Sequence, residues 1–173
     1  MRLGSIAALA GMLPWPALSS SADLSLPERS LAFYNTHTGE RLITTYWVQG
    51  IYIADSLEEI NRVLRDHRTD EIKDIDTTLL DLLCALRNAL AMQQPFHVIS
   101  GYRSPETNAL LGRQSSGVAV NSLHRHGKAI DIRTPGRALD SLRKAAVAMK
   151  AGGVGYYPMS DFVHIDIGRV RYW

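Results

Sequence analysis

With a single cysteine, Cys84, the chain has no intrachain disulfide. Stability must then come from an apolar core, which a chain of 173 residues is long enough to build. Cys84 lies among Leu82, Leu83 and Leu86 at helical spacing, so it reads as a small buried residue and not as a nucleophile. Also missing is any apolar run of about 20 residues, which excludes a membrane-spanning helix. Charge of one sign is scarce in excess. The net charge is +2, and Lys and Arg are scattered among Asp and Glu, so no nucleic-acid partner is expected. There is no internal repeat and no low-complexity tract. The G-x-S-x-G turn of serine hydrolases is absent, which leaves Ser104 and Ser122 without the setting of a nucleophile.

Apolar residues make up 46% and charged residues 21%, the balance of one soluble globular domain. The first 22 residues depart from the rest. Arg2 precedes an Ala-, Leu- and Gly-rich run to Leu13, Pro14 and Pro16 break it, and Ser20-Ser21-Ala22 offers small residues for cleavage. This is the order of a secretory signal, with a buried N-terminal helix as the alternative. The expected organisation is a signal over 1–22 and one domain over 23–173.

Along that domain, strand-like runs at Leu31–Asn35 and Leu42–Trp47 flank Thr36–Glu40, which predicts a hairpin. Ser56-Leu57-Glu58-Glu59 has capping-box spacing and predicts a helix to about His67. Asp76 caps a second helix carrying Leu79, Leu80, Leu83, Leu86, Leu90 and Met92, the most apolar of the chain. A strand over His97–Tyr102 is followed by a short helix opening at Ser104-Pro105. Gln114–Asn121 reads as a polar loop, Lys128–Arg133 as a strand and Leu139–Lys150 as a helix stopped by Gly152-Gly153. Gly155–Met159 reads as a turn-rich link, and Phe162–Ile167 as the last strand. The order predicts an α+β domain, with helices packed on one face of a small, largely antiparallel sheet.

Chemistry concentrates in two segments, Ser122–Asp131 and Asp161–Asp166. Neighbouring residues of a strand face opposite sides. Ile130 and Ile132 facing the core put Asp131 on the open side, and Val163, Ile165 and Ile167 do the same for His164 and Asp166. Adjacent strands lie about 4.8 Å apart, so Asp131 and His164 can share one ion. His124 stands just before its strand, where Gly127 lets the chain bend, and can supply the third ligand. Three protein ligands with one open position make a catalytic zinc site. Asp161, three residues before His164, is the expected general base. Asp166 is expected either to orient a ligand ring or to bind substrate. His126 is the rival to His124. Tyr102, Tyr156 and Tyr157 are expected either to stack on substrate or to pack internally.

Ser122 to Asp131 fits every fixed position of S-x-H-x-x-G-x-A-x-D, the signature of the D-Ala-D-Ala metallopeptidases. The sequence resembles that family, and within it the murein endopeptidase branch. Ile99–Ser104, Gly152–Pro158 and Phe162–Asp166 carry the further likeness, which covers most of residues 28–173. The resemblance implies the Hedgehog/DD-peptidase fold, with Zn2+ held by His124, Asp131 and His164. It implies Asp161 as general base, where many relatives carry Glu. It also implies that Arg103 faces the reaction centre, binding a peptide carboxylate or stabilising the oxyanion. The implied substrate is the crosslinked peptide of peptidoglycan, including bonds between two diaminopimelate residues, and the implied location is the periplasm. Relatives often leave by the twin-arginine route. Here only Arg2 precedes the apolar run, so the general secretory route is equally open. Three other readings stand beside this one: a non-catalytic zinc-holding wall-binding module, a purely structural exported domain with no bound metal, and a carboxypeptidase or dipeptidase on the same scaffold.

Overall fold

A computed structural model describes residues 27–114 and 119–173; the expected signal, 1–22, lies outside them. The chain opens with a hairpin, β1 (Glu28–Asn35) and β2 (Arg41–Val48), and a short strand β3 (Ile51–Tyr52). Helices α1 (Ala54–Val63) and α2 (Thr77–Ala89) follow. Next come β4 (Phe96–Ser100), α3 (Pro105–Gln114), a 3-10 turn at Leu123–His126 and β5 (Ala129–Arg133). The chain then forms α4 (Leu139–Met149), β6 (Gly153–Tyr157), β7 (Phe162–Asp166) and β8 (Arg171–Tyr172).

The eight strands form one sheet in the order β3-β2-β1-β4-β5-β7-β6-β8. Most neighbours are antiparallel, but β1 runs parallel to β4 and β6 parallel to β8. The fold is therefore α+β with a mixed sheet, larger than the small one expected. Two of the three added strands are short edges, β3 and β8, which carry no alternating pattern of their own. The third is β6, which takes in Gly155–Tyr157 of the segment read as a link, while Pro158–Ser160 form a 3-10 turn. Strand β6 forms because it pairs with β7 on one side and β8 on the other, a tertiary effect that overrides the poor strand propensity of glycine.

The core lies between one face of the sheet and three helices. Leu31, Phe33, Phe96, Val98, Ile130, Ile132, Val163 and Ile165 meet Ile60 and Val63 of α1, Leu79, Leu80, Leu83 and Leu86 of α2, and Leu142 and Ala146 of α4. Cys84 is buried there, as its spacing predicted. Helix α3 gives nothing to this core and buries Thr107 and Asn108 instead. Asp76 caps α2 by accepting from the Thr78 amide at 2.9 Å. The expected capping box does not form. Helix α1 starts two residues before Ser56, whose hydroxyl donates to the Thr45 carbonyl at 2.9 Å and so ties the helix to β2.

The turn after β4 is fixed from below by the loop that follows α1. The Tyr102 amide donates to the Leu64 carbonyl at 2.8 Å, and the buried Asp66 carboxylate accepts from the Ser104 amide at 2.8 Å and the Arg68 amide at 2.9 Å. A methyl group on Gly101 would overlap the Leu64 carbonyl, so only glycine lets the two loops lie this close. Burial alone would raise the Asp66 pKa, but the Thr107 side chain beside it and the hydrogen bonds from Arg68 and Ser104 outweigh it and hold it at about 2 against an ordinary 3.8. A depressed carboxylate stabilises the fold above its unfolded pKa, and that contribution fades as pH falls through the folded value. Asp66→Asn is expected to cost about 2 kcal/mol at neutral pH and to flatten the stability curve between about pH 4 and pH 2. Urea titrations across that range would measure it; a curve parallel to the unsubstituted protein would remove Asp66 from the account.

Candidate metal centre

Each of the three expected ligands is delivered by a different local device. His124 sits in the 3-10 turn, which Ser122 caps by accepting from the His124 amide at 3.4 Å. The turn closes at Gly127, whose φ of +64° is left-handed and whose missing side chain leaves room for the Asp74 carbonyl. Asp131 and His164 face each other directly in the antiparallel β5–β7 register. Both stand on the face away from the core, where the strand alternation predicted them.

Their polar atoms converge. His164 Nδ1 lies 2.8 Å from Asp131 Oδ1, and His124 Nε2 lies 3.2 Å from both Asp131 Oδ1 and His164 Nδ1. Each imidazole has its far nitrogen engaged elsewhere. His124 Nδ1 donates to the Gly101 carbonyl at 2.7 Å, and His164 Nε2 donates to Asp166 Oδ2 at 3.0 Å. These partners place a proton on each outer nitrogen and leave the inner lone pairs facing Asp131. Two lone pairs and a carboxylate oxygen this close repel one another unless a positive centre lies between them. Donors held about 2.0–2.1 Å from one tetrahedral ion stand about 3.3 Å apart, close to the spacing here. The donor set of two imidazoles and one carboxylate suits a divalent ion of the zinc type. His126, the rival ligand, is exposed and outside this group.

The electrostatics differ among the three groups. Burial holds His124 below the ordinary imidazole pKa, which keeps it unprotonated. Burial would lower His164 too, but hydrogen bonds to Asp131 and Asp166 outweigh it and raise the pKa. Burial would raise Asp131, and the two imidazoles and Arg103 overcome this and keep it ionised. Arg103 makes an ion pair with Asp131 Oδ2, and its Nε donates to Ser100 Oγ at 2.8 Å.

The group opens into a cavity of about 440 Å³. Arg103 and Arg171 border it, and Leu111, Leu123, Tyr157, Phe162 and Trp173 form its apolar wall. Tyr157 stacks on Phe162 at 4.6 Å between ring centres, and the Trp173 indole donates to the Tyr157 hydroxyl at 2.8 Å. Gly155 makes that wall possible, because a methyl there would stand 2.7 Å from the Trp173 ring.

Three sequence expectations change. Asp161 is not brought to the ligands. Its residue turns left-handed at φ +53°, and its exposed carboxylate pairs with Arg133 Nη1 at 2.8 Å, outside the cavity lining. Asp166 does not line the cavity. It is fully buried, accepting from Gly153 N, Gly168 N, His164 Nε2 and both Nη atoms of Arg171. Of its two expected roles, orienting the ligand ring is the one this geometry fits. Tyr102 is buried, its hydroxyl donating to Glu71 at 2.7 Å, and does not line the cavity. Sequence reasoning missed the Gly101 carbonyl, Arg171 and Trp173. Gly101 lies in the Ile99–Ser104 stretch that carried the likeness, so a signal for it was present. Arg171 and Trp173 gave none, because the parallel edge strand that brings them here has no sequence pattern.

Comparison with known proteins gives the family. Residues 24–173 match the family described as peptidoglycan L,D-endopeptidase MepK. The chain is 45% identical to the peptidoglycan L,D-endopeptidase MepK of Escherichia coli K12, over 100% of its own length and 94% of the relative's. It is 39% identical to the probable peptidoglycan L,D-endopeptidase MepK of Haemophilus influenzae, over 100% and 92% respectively. The signature from Ser122 to Asp131 and the matches along the whole chain together establish that this protein belongs to the MepK family of D-Ala-D-Ala metallopeptidase-like proteins.

Proposed function

We propose that the chain is an exported zinc metallopeptidase that hydrolyses peptide crosslinks of bacterial peptidoglycan, with His124, Asp131 and His164 as its metal ligands. The observation that carries this reading is the convergence of their three donor atoms, all within 4.8 Å of one another. The activity named for the relatives supports the substrate, and we extend it to bonds between two diaminopimelate residues. The proposal includes the Hedgehog/DD-peptidase fold, a secretory signal over 1–22 and a periplasmic location. Among the described residues no helix is long and apolar enough to cross a membrane.

Zinc, when bound, supplies Lewis acidity that polarises a carbonyl and activates water near neutral pH. The remaining work falls to the protein. Gly101 and Asp166 fix the tautomer and orientation of the two imidazoles. Arg171 and two backbone amides in turn fix Asp166. Arg103 neutralises the outer oxygen of Asp131 and borders the cavity, where its guanidinium is placed to hold a substrate carboxylate or a developing oxyanion. Tyr157, Phe162 and Trp173 pack against the peptide and keep water from one side.

The exposed Asp161 carboxylate pairs with Arg133, and we infer from this that it is not the general base. Asp161→Ala is expected to keep hydrolysis within about threefold and zinc binding unchanged, since an exposed ion pair contributes little. A hundredfold loss of turnover with zinc retained would return the general-base role to Asp161. The position of Asp161 also favours a second reading, a zinc-holding wall-binding module without catalysis. Digestion of defined crosslinked muropeptides, with and without a chelator, separates the two. The peptidase reading expects chelator-sensitive cleavage, and the module reading expects none.

A further inference from the structure

A row of side chains crosses four strands on the same sheet face as the metal ligands. Tyr34 is paired with Arg41 on β2 and with His97 on β4, and His97 is paired with Arg133 on β5. Arg133 stands two residues after Asp131 on its strand, so both project from one face. Three of its members are in contact, and Arg133 continues the row by its register with His97. The Arg41 guanidinium lies 4.4 Å from the Tyr34 ring centre, and the Tyr34 and His97 rings are 4.8 Å apart. Burial first, and then the charges of Arg133 and Arg41, hold the His97 pKa below its ordinary value.

Beside the row is a depression of about 300 Å³ lined by His97, Arg133, Thr134, Arg137 and Asp161. Among its lining groups Asp161 is the one carboxylate, and its pair with Arg133 is exposed on both sides, by 62% and 38%. Thr134 lines the depression, and its buried Oγ1 has no hydrogen-bond partner among the described residues. An orphaned buried hydroxyl needs a ligand or water to satisfy it. The depression adjoins the catalytic cavity, because Asp161 precedes Phe162 of the apolar wall.

We propose that the Arg41–Tyr34–His97–Arg133 row is an extended substrate surface that holds carboxylates of the peptidoglycan network beyond the crosslink being cut. This rests on the peptidase reading above. The occupant follows from charge and continuity: the peptide stems of peptidoglycan carry free carboxylates, and the row leads away from the ligands along one open face. A substrate carboxylate would exchange with Asp161 on Arg133. The aromatic members hold the guanidiniums in place and offer flat surface to the stem.

The test is co-sedimentation of the zinc-loaded full chain with purified sacculi on ice, beside sacculi whose carboxylates have been amidated. Binding is expected to weaken with salt, and to weaken about tenfold on amidation or in the double variant Arg41→Glu, Arg133→Glu. Should the double variant not fold, Arg41→Gln, Arg133→Gln takes its place, and the amidation arm needs no variant. Binding that stays within about twofold after amidation, or in a folded variant, overturns the proposal. Cleavage of soluble crosslinked muropeptides by the unsubstituted protein is measured in parallel. Its absence sinks the peptidase reading, while the sacculus arms still report on the row by themselves.

Discussion

His164→Ala is expected to lose zinc and hydrolysis together. Removing a partner that only orients a ligand costs about 10–100-fold in metal affinity, so removing the ligand itself is expected to exceed a thousandfold in both affinity and turnover. His164 stands opposite Asp131 in the sheet and is the group through which Asp166 and Arg171 act on the site. The metal-free fold should survive, because Asp166 keeps Arg171 and the Gly153 and Gly168 amides. Zinc titration of the purified variant, followed by muropeptide digestion, checks this. A variant that binds zinc as tightly as the parent and still cleaves would remove His164 from the centre.

The second large effect is expected at a residue that touches no ligand. A methyl on Gly152 would overlap the Asp166 carbonyl oxygen and stand 3.0 Å from the Ile167 Cα. These are backbone atoms of a paired strand and cannot step aside as a flexible side chain would. Gly152→Ala is therefore expected to cost about 3 kcal/mol or more, near the upper end of overpacking effects. For a domain of this size that corresponds to a fall of about 10 °C in Tm. Any relaxation has to move Asp166, which holds the His164 ring, so zinc affinity should fall with stability. Thermal melts with and without zinc measure both. An unchanged Tm would show that the β6–β7 spacing gives way easily.

How far the sequence carried the site can be argued from particular residues. Asp131 and His164 were legible because each lies on a strand whose alternate positions are Ile or Val, so the period of two fixes the side they face. His124 was legible through Gly127, the one residue that lets the turn close over Asp74. Asp161 was misplaced because its direction depends on a left-handed backbone and a partner, Arg133, 28 residues away in sequence. Asp166 shares a face with His164, as read, yet is sealed by Arg171, Gly153 and Gly168. Local pattern shows which face a residue takes, and what covers that face is decided by distant segments. The same limit hid β6, where glycines signal a turn in isolation but allow close approach once β7 and β8 are beside them.

The donors at 124, 131 and 164 meet only when β5 and β7 lie side by side. Up to 40 residues of chain separate them, so an unfolded molecule offers no comparable cluster. An ion that recognises the folded form alone adds about 2.7 kcal/mol of stability at a hundredfold excess over its Kd. Zinc supply would then govern how many copies of the enzyme persist as well as how fast each works. Molecules emptied of the proposed zinc would open more often, and proteases that capture opened chains would clear them.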